Sequence, residues 1–178
     1  SKAIDMSKQS GAHPRMGATD VCPFVPVQGV TMEECAALAG TLGARVASEL
    51  GIPVYLYEHA ASSPARENLA KVRSGEYEGL SAKLVDPEWV PDFGDAAYTK
   101  AVERSGATII GARPFLIAYN VNLNTKNVKK AMKIAALVRG RDEKSKLGSG
   151  RRLHRVGFSA SVSHAVADGC CGIRAASI

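Results

Sequence analysis

An imidazole, a proline ring and a guanidinium stand side by side at His13, Pro14 and Arg15, with Gly17 and Asp20 close behind, in the stretch SGAHPRMGATDVCPF. An imidazole titrates near pH 6.5, so His13 has the side chain that takes a proton and returns it close to neutrality. The ring of Pro14 pushes the residue before it out of the helical region, which predicts an extended His13 at the mouth of a loop. Arg15 supplies a rigid donor fork that matches a carboxylate. Gly17 and Ala18 let backbone come close to a ligand, and Asp20 orients the imidazole or faces a cationic ligand group. The same residues also support a plainer reading, with His13 and Arg15 as loop surface and Asp20 as the cap of a turn. No second catalytic group stands at a fixed spacing to decide between them.

Chemistry of this kind needs regular elements to hold it. The first residues, SKAIDMSKQSG, read as the last turns of a helix whose beginning is not present, stopped by Gly11. DVCPFVPV predicts a strand, and Pro23 and Pro26, each lacking a ladder donor, place it at a sheet edge. Thr31 and Glu34 form a capping box. Behind it Met32, Cys35, Leu38, Ala39, Leu42, Val46 and Leu50 recur at helical spacing up to Gly51 and Pro53. PVYLYE predicts a short strand, residues 66–74 a helix closed by Gly75, and DPEWVPDFG an ordered irregular loop pinned by Trp89 and Phe93. Two apolar runs, 107–110 and 115–123, are separated by Gly111 to Pro114 and predict a hairpin. Thr125 caps a further helix to Val138, and one more strand is expected between Val156 and Val162. The order implies an α/β fold: a mixed β-sheet with helices packed mainly on one face.

At 178 residues and 46% hydrophobic, the chain has enough apolar material for a real core. A formal charge of +6 raises the question of a nucleic-acid partner. From Arg139 onward, however, eight Lys/Arg stand against three Asp/Glu, so the main body is almost neutral. No aromatic ladder for stacking bases is interleaved with that basic tail, so no nucleic acid is expected as a partner. No apolar run reaches the length of a membrane span and no signal-peptide core is visible, which predicts a soluble cytoplasmic protein without a membrane partner. Cys22, Cys35, Cys170 and Cys171 form no CxxC, so reduced cysteines and no metal are expected.

HPRMGATDVCPFVPVQGVTMEEC, then ELGIPVYLYE, VRSGEYEGL, DPEWVPDFG and GATIIGARPFLIAYNVNLNT, occur in an order that closely resembles the N-terminal subdomain of the glutamate formiminotransferase family, from about Ile4 to about Arg139. The resemblance implies transfer of a formimino group from N-formiminoglutamate to the 5-nitrogen of tetrahydrofolate, a co-substrate, in histidine degradation. It implies that His13, the histidine of the HPRMG motif, is the acid/base. Arg15 and Arg113 become candidates for gripping glutamate carboxylates, Gly17 for close approach to the ligand, and Asp20 for facing the amidinium. Tyr57 lines the pterin pocket in that reading, or is a half-exposed core tyrosine.

The expected organisation is a formiminotransferase N-terminal subdomain-like domain over 1–139, with the family's early strands absent, and a basic Gly/Ser linker with an atypical tail over 140–178. The family's cleft lies between this subdomain and a second one, so association with a second subdomain or a homodimer through an open sheet edge is expected. The competing reading is a non-catalytic relative that binds a folate or a protein partner through the same half-cleft. No role falls on His154 or His164 in the tail.

Overall fold

The computed structural model describes residues 3–10, 14–116, 118–124, 127–138, 162–163 and 171–176, which fall into two units, Ser1–Pro114 and Phe115–Ile178. In the first unit three strands, β1 (Val21–Phe24), β2 (Val54–Glu58) and β3 (Thr108–Ala112), lie parallel in the order β1-β3-β2. All five residues of β3 are buried, as the middle strand of a parallel sheet covered on both faces requires. The expected hairpin is not formed. Both edges of β3 are occupied by β1 and β2, and the following strand, β4 (Ala118–Leu123), belongs to another sheet.

The capping box builds the longest helix among the described residues, α1 (Met32–Leu50): Thr31 Oγ1 accepts from Glu34 N, Glu34 Oε2 accepts from Thr31 N, and Gly51 ends the helix at φ 63°. Ala39 is buried against the sheet face formed by Val54 and Ile110, with Leu42 and Val46 beside it, and Cys35 is buried one turn earlier. Leu38 and Leu50 lie outside that stripe and are about half exposed. The opposite face carries Tyr55, Tyr57 and Ile109, covered by α2 (Leu69–Val72), α3 (Leu80–Leu84) and α4 (Lys100–Ser105) through Val72, Leu80, Leu84 and Val102. The fold is α/β.

Two expectations at the helix ends need correction. The opening residues form a single 3-10 turn, Met6–Lys8, with its own cap, because the Asp5 carboxylate accepts from Ser7 N. The helix expected over 66–74 is broken: after a 3-10 turn at Pro64–Arg66, Asn68 Oδ1 accepts from Ala70 N and Lys71 N and starts α2 afresh. Thr125 and residues 156–161 lie outside the described residues, and the Asn127 side chain accepts from Lys130 N at the start of α5 (Val128–Val138). In the second unit β4, β6 (Cys171–Ala176) and β5 (Val162–Ser163) form an antiparallel sheet in the order β4-β6-β5.

The DPEWVPDFG loop closes the outer edge of β2. Val54 N donates to Phe93 O, and Asp92 Oδ2 accepts from Leu56 N at 2.7 Å. Asp92 also pairs at 2.7 Å with Arg66, both side chains being more than nine-tenths buried, and the Arg66 guanidinium lies over the Tyr55 and Trp89 rings. Removing one partner of a buried pair strands the other charge, at a cost of about 3–5 kcal/mol. The outer edge of β1 has no strand partner among the described residues.

Lys83 anchors the end of α2. Its Nζ donates to Val72 O at 2.6 Å and Ser74 O at 3.1 Å while sitting 4.0 Å from the centre of the Trp89 ring. Burial, with the Arg66 charge nearby, pushes its pKa down to about 8 from 10.5. The unfolded chain therefore holds more protons than the folded one between about pH 8 and 10.5, and stability rises with pH across that window. Tyr55, Tyr57 and Tyr77 are all shifted up by burial, so their contribution is lost above about pH 10. Denaturant unfolding is expected to show stability climbing from pH 8 toward 10 and then falling, with the climb reduced in Lys83→Met. An unchanged climb in that variant would contradict the assignment.

Candidate active site

Residues 14–20 form no helix or strand and are held in place by backbone bonds on two sides. Ala107 N donates to Met16 O at 3.0 Å, Ala18 N to Ser105 O at 2.8 Å and Ile109 N to Asp20 O at 2.9 Å, so the segment lies along the junction of α4 and β3. On its other side Tyr77 N donates to Arg15 O at 2.8 Å. Met16 is fully buried in the core behind it. His13 lies outside the described residues, and the nearest described residues in the chain on either side are Ser10 and Pro14.

The Arg15 fork is occupied from within the chain. It meets Glu78 through two bonds, at 2.7 and 3.2 Å, reaches Glu76 at 3.4 Å and donates to Gln9 O at 2.9 Å. The bond to Glu78 raises the pKa of Arg15, and the same bond holds the Glu78 carboxyl below its ordinary range. An open pocket of about 360 Å³ is lined by Ser10, Arg15, Gly75, Glu76 and Glu78.

Gly17 permits a close approach, but to the chain itself. A Cβ at this position would lie 2.2 Å from Ala107 O and 2.7 Å from Ser105 O, and Gly17 bridges to Gly106. Asp20 is likewise committed: one oxygen accepts from Met16 N at 2.8 Å and the other pairs with Arg73. Arg73 gives no sign of this in the sequence because it lies 53 residues from Asp20, with no local pattern joining them.

Tyr57 is fully buried, not half exposed. Its ring passes over Gly111 on β3, where a Cβ would sit 2.4 Å from the ring edge. Neither its hydroxyl nor Arg73 Nε has a hydrogen-bond partner among the described residues. Burial pushes the Tyr57 pKa up, against the opposing charges of Arg113 and Arg73. Arg113 follows β3 directly, with its backbone N–H donating to Phe24 O at 3.0 Å. The structure thus brings Tyr57, Arg73 and Arg113 together at the carboxyl ends of β2 and β3, with Asp20 bound to Arg73, and gathers Arg15, Glu76 and Glu78 around the pocket. Ligands of open parallel sheets bind at such carboxyl ends.

Residues 1–113 match the family model described as the formiminotransferase domain, N-terminal subdomain, and the match ends where the first unit ends. The chain belongs to that family. It is 51% identical over 140 residues to a glutamate formimidoyltransferase of Streptococcus pyogenes, an alignment covering 79% of this chain and 46% of the relative. A glutamate formimidoyltransferase of Thermoplasma acidophilum is 53% identical over 141 residues, covering 78% and 45%. The formimidoyltransferase-cyclodeaminase of Mus musculus is 52% identical over 150 residues, covering 83% and 27%. The chain thus spans about half the length of the single-function relatives and about a quarter of the bifunctional one. As a member of the formiminotransferase family it presents no group of three or more His, Cys, Asp or Glu placed for a metal among its described residues. No helix among them is long and apolar enough to cross a membrane.

Proposed function

We propose that this formiminotransferase subdomain contributes half of the site that moves a formimino group from N-formiminoglutamate to tetrahydrofolate. The observation that carries the reading is identity of 51–53% over some 140 residues to bacterial and archaeal proteins named for that transfer. The formimino group is an amidine, cationic near neutral pH, so its carbon is electrophilic. The folate 5-nitrogen attacks that carbon and must lose a proton as the tetrahedral intermediate forms. His13 accepts it as general base, and the imidazolium then protonates the departing glutamate nitrogen as the carbon–nitrogen bond breaks. Free glutamate and 5-formimino-tetrahydrofolate leave, and the imidazole is neutral again.

In this reading Gly17 and Asp20 hold the segment that carries His13, while Tyr57, Arg73 and Arg113 offer donors to the ligands' carboxylates and carbonyls. A second subdomain closes the cleft. The cytoplasm suits the reaction, since the free thiols of Cys22 and Cys35 persist there.

The test is an assay of a chain carried to the full length of its relatives. It is expected to release glutamate from N-formiminoglutamate only when tetrahydrofolate is present. Absence of folate-dependent release, with the reduced folate still bound, would instead support a non-catalytic folate-binding relative.

A further inference from the structure

We infer that the Tyr57 hydroxyl and Arg73 Nε, with the Arg113 guanidinium beside them, form a subsite for a carboxylate of a glutamyl group. The ligand's identity rests on the proposed reaction, and the subsite itself rests on the arrangement of these donors. Three tyrosines, Tyr55, Tyr57 and Tyr77, are buried among the described residues. The hydroxyl of Tyr55 donates to Trp89 O at 2.9 Å and that of Tyr77 to Glu103 O at 2.5 Å. That of Tyr57 has no partner among the described residues, and neither has Arg73 Nε, although both atoms are shut off from water. A buried donor without an acceptor is destabilising, and a phenylalanine would fill the same space without that cost.

The sheet holds this hydroxyl in place. Tyr57 leaves β2 on the face that α2 covers, packed with Tyr55, Val72 and Ile109, and its ring lies against Gly111, its register partner on β3. Gly111 is not among the glycines at positive φ, so the ring, and not the backbone, is what requires a glycine there. Arg73 follows Val72 as the C-cap of α2, and its Nη2 is anchored on Asp20, which fixes Nε without a partner of its own. Burial raises the Tyr57 pKa while the charges of Arg113 and Arg73 act to lower it, so a second guanidinium acts on the same hydroxyl. Arg113 Nε reaches Pro114 O at 3.4 Å, a long bond that yields to a charged acceptor. Glu58, whose charge also acts on the hydroxyl, takes the next position of β2, and alternation sends it to the α1 face with Val54 and Leu56. The three groups offer N–H and O–H donors, and a carboxylate accepts from all of them. A pterin edge carries donors of its own and needs an acceptor in return. Asp20, the carboxylate bound to Arg73, is already engaged by that residue and by Met16 N. N-formiminoglutamate and the folate tail both carry a glutamyl group, so either supplies the carboxylate.

The test uses a chain carried to the length of its relatives and three ligands: N-formiminoglutamate, tetrahydrofolate, and tetrahydropterin, which lacks the glutamyl group. Tyr57→Phe removes the hydroxyl alone. Without ligand, its melting temperature should equal or exceed that of the wild type, because no hydrogen bond is lost. Calorimetry should show binding of a glutamyl ligand weakened by roughly 10-fold or more, as for loss of a hydrogen bond to a charged group, with tetrahydropterin unaffected. Weakening of N-formiminoglutamate places the substrate's own carboxylate in the subsite, and weakening of tetrahydrofolate places the folate tail there. Arg73→Lys, which keeps a charge beside Asp20 and removes Nε, should weaken the same ligand. A lowered melting temperature of unliganded Tyr57→Phe would reveal a partner within the protein and overturn the inference. So would unchanged affinity for both glutamyl ligands, or an equal loss for tetrahydropterin. Formimino transfer that fails while Tyr57→Phe still weakens glutamyl binding would overturn the proposed reaction and leave the subsite standing. Transfer that proceeds with those affinities unmoved would overturn the subsite alone.

Discussion

His13→Ala, in a chain carried to the length of its relatives, is expected to lower formimino-transfer turnover by at least about 100-fold, the low end of what a positioned general acid/base contributes. The argument is one of proton inventory. The folate nitrogen sheds a proton on attack and the glutamate nitrogen gains one on departure, so a single group of near-neutral pKa serves both steps. The loss should fall on kcat, because the substitution removes the proposed proton carrier and none of the groups proposed to bind the ligands. The wild-type rate should rise through the imidazole pKa, and the residual rate of the variant should lose that limb. Steady-state kinetics from about pH 5 to 9, either side of the ordinary imidazole value, would show it. Turnover within a few-fold of wild type would remove His13 from the mechanism.

Gly106→Ala is expected to be the most damaging small substitution in the first unit. Gly106 lies between α4 and β3 at φ 70°, ψ −155°, a region essentially restricted to glycine. A Cβ there would stand 2.1 Å from Met16 O and 2.5 Å from Gly17 Cα, both backbone atoms that cannot swing aside. Strain of about 1–3 kcal/mol and a clash of similar size give a destabilisation of roughly 3–5 kcal/mol, a large share of the stability of an ordinary domain. Relief would push residues 16–17 off the α4–β3 junction, so the segment carrying the site would be displaced even where the unit still folds. Gly40→Ala is the control, since Gly40 lies inside α1 and a Cβ added there would meet nothing within 4 Å. That substitution should be neutral or stabilise by up to about 1 kcal/mol. Urea unfolding of the two variants should separate them by several kcal/mol; equal midpoints would refute the account of the junction.

What can be read from the chain follows from how local each signal is. The start of α1 is legible because Thr31 and Glu34 cap within three residues, and its end because Gly51 takes the left-handed conformation. The edge position of β1 is legible from Pro23. The pairing of β3 is not, because an apolar run of five residues suits a hairpin arm and a central parallel strand alike, and only the distant β1 and β2 decide. α3 and α4, at five and six residues, are too short to show a helical period.

The site divides in the same way. HPRMG marks where the chemistry should be, yet the partners that fix its neighbours come from far along the chain: Glu78 for Arg15, Arg73 for Asp20 and the Gly106–Ala107 backbone for Gly17. Charge and size alone make Arg15 and Asp20 look free for a ligand. Their bonds within the fold show both already engaged.

The central claim is the proposal that this subdomain contributes half of a site for formimino transfer to tetrahydrofolate. Calorimetric titration with tetrahydrofolate of a chain carried to the length of its relatives tests it most directly, because binding requires no turnover. The account predicts a saturable isotherm with one site per chain. A flat titration with a chain that unfolds cooperatively would contradict it.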